Sequence, residues 1–235
     1  MDRLTRHELK SDKFVEEVGQ TVHFLEAHRA QVIRYGAIAV AVLLVAGGTY
    51  FYMKQRAVER QQALYDAMQT YNARVLPGDP PAGMKAFKTA EARNEAIAKE
   101  MGVLMTKFSG SDEAAIATYL MGMNAVDQGK LADAERYLKK AVEDGGKDYA
   151  SLAKLSLSEV YVAEGKTADA EKLLRELVAS PTMLVTKENS TIALARVLAK
   201  SKPDEARKLL EPLRAQAGSA SRFAIQTMAE LGLAK

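Results

Sequence analysis

The feature that most constrains this chain is the stretch from Tyr35 to Met53, YGAIAVAVLLVAGGTYFYM, nineteen consecutive residues without a charge. A helix rises about 1.5 Å per residue, so the run measures about 28 Å, close to the roughly 30 Å hydrocarbon thickness of a bilayer. Arg34 and Lys54 bracket it, with Tyr35 at one boundary and Tyr50, Phe51 and Tyr52 at the other. Charged head groups that reach the interface and rings at headgroup level suit the two ends of a span. A core helix of a soluble domain would carry a polar stripe, and this run has none. A cleavable signal peptide has an apolar core of about 7–15 residues behind a short basic start, whereas 34 residues precede this one. The expectation is one uncleaved transmembrane helix at 35–53, between a tail at 1–34 and a large remainder at 54–235.

Six Lys or Arg precede the run and three follow within twenty residues. Basic residues are retained on the cytoplasmic side, so the tail is expected inside and the remainder outside. In that tail Val15, Val18, Val22, Leu25 and Val32 recur at helical spacing, the pattern of an amphipathic helix. It reads either as a helix on the membrane surface or as one docking on a cytoplasmic partner. His23 and His28 are five apart, off a common helical face, and make no metal pair. Within the span Ala37 and Ala41 form a small-x-x-x-small face on which a second membrane helix could pack.

Beyond the span, KQRAVERQQALYDAMQTYNARVL continues as a helix out of the membrane, with a neighbouring-helix role expected for Ala57 to Leu76. The loop PGDPPAG at 77–83 stops it, and FKTAEARNEAIAKEMGVLMTKF makes the next helix. From there the chain repeats. GKLADAERYLKKAV from Gly129, GKTADAEKLLRELV from Gly165 and SKPDEARKLLEPL from Ser201 align at a period of 36. Lys130, Lys166 and Lys202 are in phase, as are Ala134, Ala170 and Ala206, and Leu138, Leu174 and Leu210. Three in-phase copies identify a repeat array, each unit being helix, short turn, helix. An alanine at the tightest contact lets two helices approach, and a leucine one turn on fills the neighbouring hole. Gly122 is a small residue of the same kind in the first helix of copy one. Ser158 and Leu194 take its place in the later copies, with Tyr161 the large side chain three residues on. The helix from Ser219 is expected to cap the open end.

The residue inventory excludes several kinds of chemistry. Net charge is +3 and no basic cluster interleaves with aromatics, so nucleic acid is not an expected partner. There is no cysteine, and all three histidines precede the span. No nucleophile motif, phosphate-cradling glycine loop or carboxylate pair stands out. No enzyme, cofactor, metal or small-molecule substrate is expected. The recurring acids Asp133, Glu135, Asp169, Glu171, Asp204 and Glu205 fall early in each second helix, where they complement the helix dipole.

These small and large positions resemble the tetratricopeptide repeat, with a period two residues longer and without its tryptophan. In the register that this resemblance implies, a concave groove carries Ile116, Tyr119, Met123 and Val126 from copy one. Copy two adds Leu152, Leu155, Glu159 and Val162, and copy three Glu188, Thr191, Ala195 and Leu198. The groove is expected either to take an apolar segment of another protein or to be covered by a neighbouring helix, and its only charges are Glu159 and Glu188. The layout of short tail, single span, outgoing helix (YMKQRAVERQQALYDAMQTYNA) and repeats resembles the YfgM-like ancillary subunits of the SecYEG translocon. That resemblance implies an all-α protein of the bacterial inner membrane whose transmembrane helix leads into a periplasmic α-solenoid of tetratricopeptide-like hairpins. It implies a non-enzymatic interaction module whose partners are the Sec translocon, periplasmic chaperones or newly translocated chains. A scaffold of another envelope machine, such as outer-membrane assembly, cell division or pilus biogenesis, fits the same layout.

Overall fold

The computed structural model describes residues 28–78, 83–216 and 218–233. Among them it is all-α apart from two very short strands. The order is α1 (Arg29–Tyr71), β1 (Arg74–Val75), β2 (Ala86–Phe87), α2 (Ala90–Lys107), α3 (Asp112–Asp127), α4 (Leu131–Asp144), α5 (Lys147–Ala163), α6 (Thr167–Ala179), α7 (Lys187–Leu198), α8 (Pro203–Arg214) and α9 (Ser219–Glu230). The chain forms two compact units, one ending at Val58 and the other beginning at Glu59.

In the first unit every residue from His28 to Gln55 is exposed. Leu43 and Leu44 are 70 % and 71 % exposed, and α1 contains a window long and apolar enough to cross a membrane. An apolar side chain of that size gains about 1.5–3 kcal/mol on leaving water, and among the described residues of this unit no protein surface supplies that burial. The amphipathic stripe at Val15, Val18, Val22 and Leu25 lies outside the described residues, as do His7 and His23.

The second unit is a row of helical hairpins. The repeat phase read from the sequence is the packing phase: Ala134, Ala170 and Ala206 are all 0 % exposed, as are Leu138, Leu174 and Leu210. Each triplet closes a turn later with Ala141, Leu177 or Leu213, also buried. Copies one and two turn between their helices on Gly129 and Gly165, at φ of 69° and 77°. That left-handed conformation lets Lys130 and Lys166 donate their backbone N–H groups to the Ala125 and Tyr161 carbonyls. Copy three has no glycine there. There the Ser201 and Lys202 N–H groups close α7 on the Leu198 carbonyl, and Pro203 opens α8, where a first turn needs no N–H partner.

An additional hairpin precedes the three copies. Ile97, Met101 and Leu104 of α2 are buried at the spacing of Ala134, Leu138 and Ala141, displaced by 37 residues rather than 36. With Ala67 from the end of α1, Phe108 and Ala117 they form one core cluster. The helix expected to run to Leu76 ends at Tyr71. Pro77 holds Leu76 extended, and Arg74 and Val75 pair in parallel with Ala86 and Phe87, with the Leu76 N–H reaching the Phe87 carbonyl at 2.8 Å. Lys85 then ties the loop back to Thr70 and Glu100.

The recurring charges join one copy to the next. Lys166 reaches Glu135 at 2.7 Å, and Lys202, 36 residues on, reaches Glu171 at 3.0 Å. Asp133, Asp169, Asp204 and Glu205 do lie in first turns. Glu135 and Glu171 sit one step deeper, where their role is pairing across copies rather than meeting the helix dipole. Hydrogen bonds from Lys139 and then Lys166 draw the Glu135 carboxyl down to about 2.

Candidate functional site

The face formed by the first helices of successive copies holds a cavity of about 590 Å³, bounded by α5, α6, α7 and α9. Three of the expected groove residues line it together: Leu155, Glu159 and Val162, all from α5. Helical spacing of three and four puts them on one side of that helix. Val162 is 47 % exposed, and Leu155 is half-buried against the core that contains Ile192 and Leu194. The opposite wall is α7, through Ile192, Ala193, Arg196 and Val197, and α9 contributes Phe223, 56 % exposed.

The copy-one residues do not reach this cavity. Tyr119 and Val126 are half-buried against the core of the first two copies, and the Tyr119 hydroxyl lies 3.4 Å from Ser156 Oγ of the next first helix. Met123 is half-buried too. The expected neighbouring helix, α1, packs on α2 and the near side of α3 through Ala63, Leu64, Ala67 and Tyr71. Tyr71 packs beside the α2 core, and burial, Asp127 and then Tyr119 raise its phenol pKa.

Copy three corrects the expected register. Thr191, Ala195 and Leu198 are buried at 6 %, 0 % and 0 % exposure, and the Thr191 hydroxyl donates to the Lys187 carbonyl at 2.7 Å. The cause is α9, which packs on α7 as the first helix of a further hairpin would. Ala224 and Met228 of α9 share a core cluster with Ile192, Ala195 and Leu198. Arg196 donates to Thr227 and Glu230 of α9, at 3.3 and 3.4 Å. The cavity is therefore built from a different set of α7 positions, which the repeat register alone could not select. Phe223 was legible only as an apolar residue of the capping helix.

The cavity has one carboxylate and one guanidinium. Arg196, which lies outside the expected groove register, is already engaged by Glu230, whereas Glu159 has no hydrogen bond or salt bridge among the described residues. Its side chain is accessible, yet apolar walls on either side desolvate the carboxylate. Burial pushes its pKa up, with Arg196 pulling the other way. Glu188 lies outside the cavity wall. Such a surface can hold an apolar side chain by desolvation and orient it through one charged contact. Ala37 and Ala41 sit in the exposed apolar part of α1.

A family model described as "Tetratricopeptide repeat-like domain" matches residues 24–181, a stretch that begins before the apolar run and ends after copy two. No curated protein and no solved structure matches the chain.

Proposed function

The chain belongs to the tetratricopeptide repeat-like domain family, and on that premise we propose that it is a single-pass membrane protein whose repeat domain docks apolar segments of other proteins beside the Sec translocon. Domains of this family are protein-interaction modules and are typically not catalytic. The single observation that carries the proposal is the cavity of about 590 Å³ in which Leu155, Val162, Ile192 and Phe223 surround Glu159, unpaired among the described residues. Burying one aliphatic or aromatic side chain there contributes about 1.5–3 kcal/mol before association costs are subtracted. A few such contacts make a weak, reversible site, suited to chaperones or newly translocated chains that must be released. In this reading residues 1–34 stay in the cytoplasm, 35–53 cross the inner membrane, and 54–235 work in the periplasm. Ala37 and Ala41 offer the face on which a translocon helix packs, while Tyr119, Met123, Val126 and Thr191 lie outside the docking cavity.

The test is photo-crosslinking in intact membranes from a reactive residue at Val162, followed by mass spectrometry. Translocon subunits, periplasmic chaperones or nascent exported chains are the expected adducts. Adducts drawn from outer-membrane assembly, cell division or pilus machinery would move the protein to another envelope complex. Absence of any protein adduct would remove the docking role itself.

A further inference from the structure

A second cavity, of about 650 Å³, lies between α2, α3 and α4, and the repeat explains why it exists. Its wall includes Ala125. At the same position of copy two stands Tyr161, 9 % exposed, with the Lys139 and Lys166 ammonium groups 5.9 and 5.5 Å from its ring centre. Copy one has a methyl group where copy two has a phenol, and the space stays open.

The wall of this space is negative, with four carboxylates against one ammonium group. Glu91 and Glu95 come from α2, Asp127 from the end of α3 and Asp133 from the first turn of α4. Asp133 pairs with Arg136 at 3.0 Å, but Glu91, Glu95 and Asp127 have no hydrogen bond or salt bridge among the described residues. The lysine on the wall, Lys130, donates to Gln128 Oε1 at 2.8 Å. Glu135 of α4 and Glu171 of α6, by contrast, each engage two cations. Besides Gln128, two carboxamides face the same space. Asn124 is 3 % exposed and its side chain has no partner among the described residues, and Asn94 Oδ1 is buried and unsatisfied. Like charges one helical turn apart and a buried amide without a partner both cost stability. A ligand that pairs with these groups offsets that cost.

The ligand must be cationic, rich in N–H donors and extended. Among the described residues no three acidic or histidine side chains converge closely enough to hold a metal ion. The acceptors are instead spread over the wall, as several nitrogens of one chain require. We infer that this cavity binds a linear polyamine-type cation, its ammonium groups taken by Glu91, Glu95 and Asp127 and further N–H groups by Asn94 and Asn124. A free polyamine and neighbouring lysine side chains of a partner offer the same ammonium chemistry.

The test is calorimetric titration of the full chain in detergent micelles. One arm uses spermidine, and the other a terminally blocked peptide with two adjacent lysines. Saturable binding is expected in at least one arm, and the tighter probe identifies the source. Glu95→Gln with Asp127→Asn should weaken it at least tenfold. Ala125→Tyr, which fills the space as copy two does and alters no charge, should abolish saturation. A thermal melt accompanies each variant, and should one melt early, the other decides. The inference is overturned if neither probe saturates, or if a folded variant binds as tightly as the parent chain.

Discussion

Gly122 of α3 faces Leu138 of α4 so closely that a Cβ added to the glycine would stand 2.8 Å from both Cγ and Cδ2 of the leucine. The α3–α4 hairpin is built around that contact, since Leu138 is fully buried and Ala134 lies one turn away at the same interface. Gly122→Val is expected to destabilise the domain by about 1–3 kcal/mol through overpacking. Gly102 of α2 has no atom outside its own helix within 4 Å of such a Cβ. Gly102→Ala should therefore stabilise by about 0.5–1 kcal/mol, the helix-propensity gain alone. Thermal melts of the two variants should move in opposite directions; movement in the same direction would refute the close approach.

The in-phase alanines make a parallel case one copy on. Ala170 is fully buried and Ala168, two residues earlier, is exposed. Ala170→Leu is expected to cost about 1–3 kcal/mol, and Ala168→Leu close to nothing. Equal denaturant midpoints for the two proteins would show that the repeat phase is misassigned.

The ion pairs between copies give a pH signature. The Glu135 carboxyl is held at about 2, against an ordinary 4.5, by hydrogen bonds from Lys139 and Lys166. A depressed carboxyl contributes stability that is present above its unfolded pKa and lost as pH falls through its folded one. Glu135→Gln should lower the melting temperature by roughly 1–4 °C at pH 7, the range of a partly exposed ion pair. The gap should close as pH falls from about 4.5 towards 2, and a gap constant across that window would count against the pairing.

The period of 36 was legible because copies two and three preserve small and large residues at the same contacts. The hairpin before them was not, for a physical reason: its contact residues are Ile97, Met101 and Leu104 in place of Ala, Leu and Ala, and they fall one residue out of phase. The two short strands depend on pairing between segments on either side of a proline-rich loop, which local pattern cannot foresee. The α5 side of the cavity wall was readable, since Leu155, Glu159 and Val162 share one face of α5. The burial of Thr191 was not, because it depends on the helix that covers the end of copy three. Whether α9 packs on α7 is a tertiary fact, carried by Met228, Thr227 and Arg196 rather than by the repeat.

Topology is testable with little interference, since the chain has no cysteine. In spheroplasts a cysteine at Ser11 should resist an impermeant thiol reagent, and one at Ser219, exposed at the start of α9, should react. The reverse labelling would place the repeat domain in the cytoplasm and withdraw the periplasmic partners.

The central claim is that the cavity beside α5 is where another protein segment docks. Val162 tests it most directly, because it lines the cavity and is 47 % exposed, so Val162→Asp can spoil the surface without disturbing the core. The measurement is the affinity of the full chain for an unfolded, apolar-rich client, with and without this substitution, alongside a thermal melt of each protein. The account predicts at least a tenfold loss of affinity at an unchanged melting temperature. Undiminished binding by a folded Val162→Asp protein would contradict it.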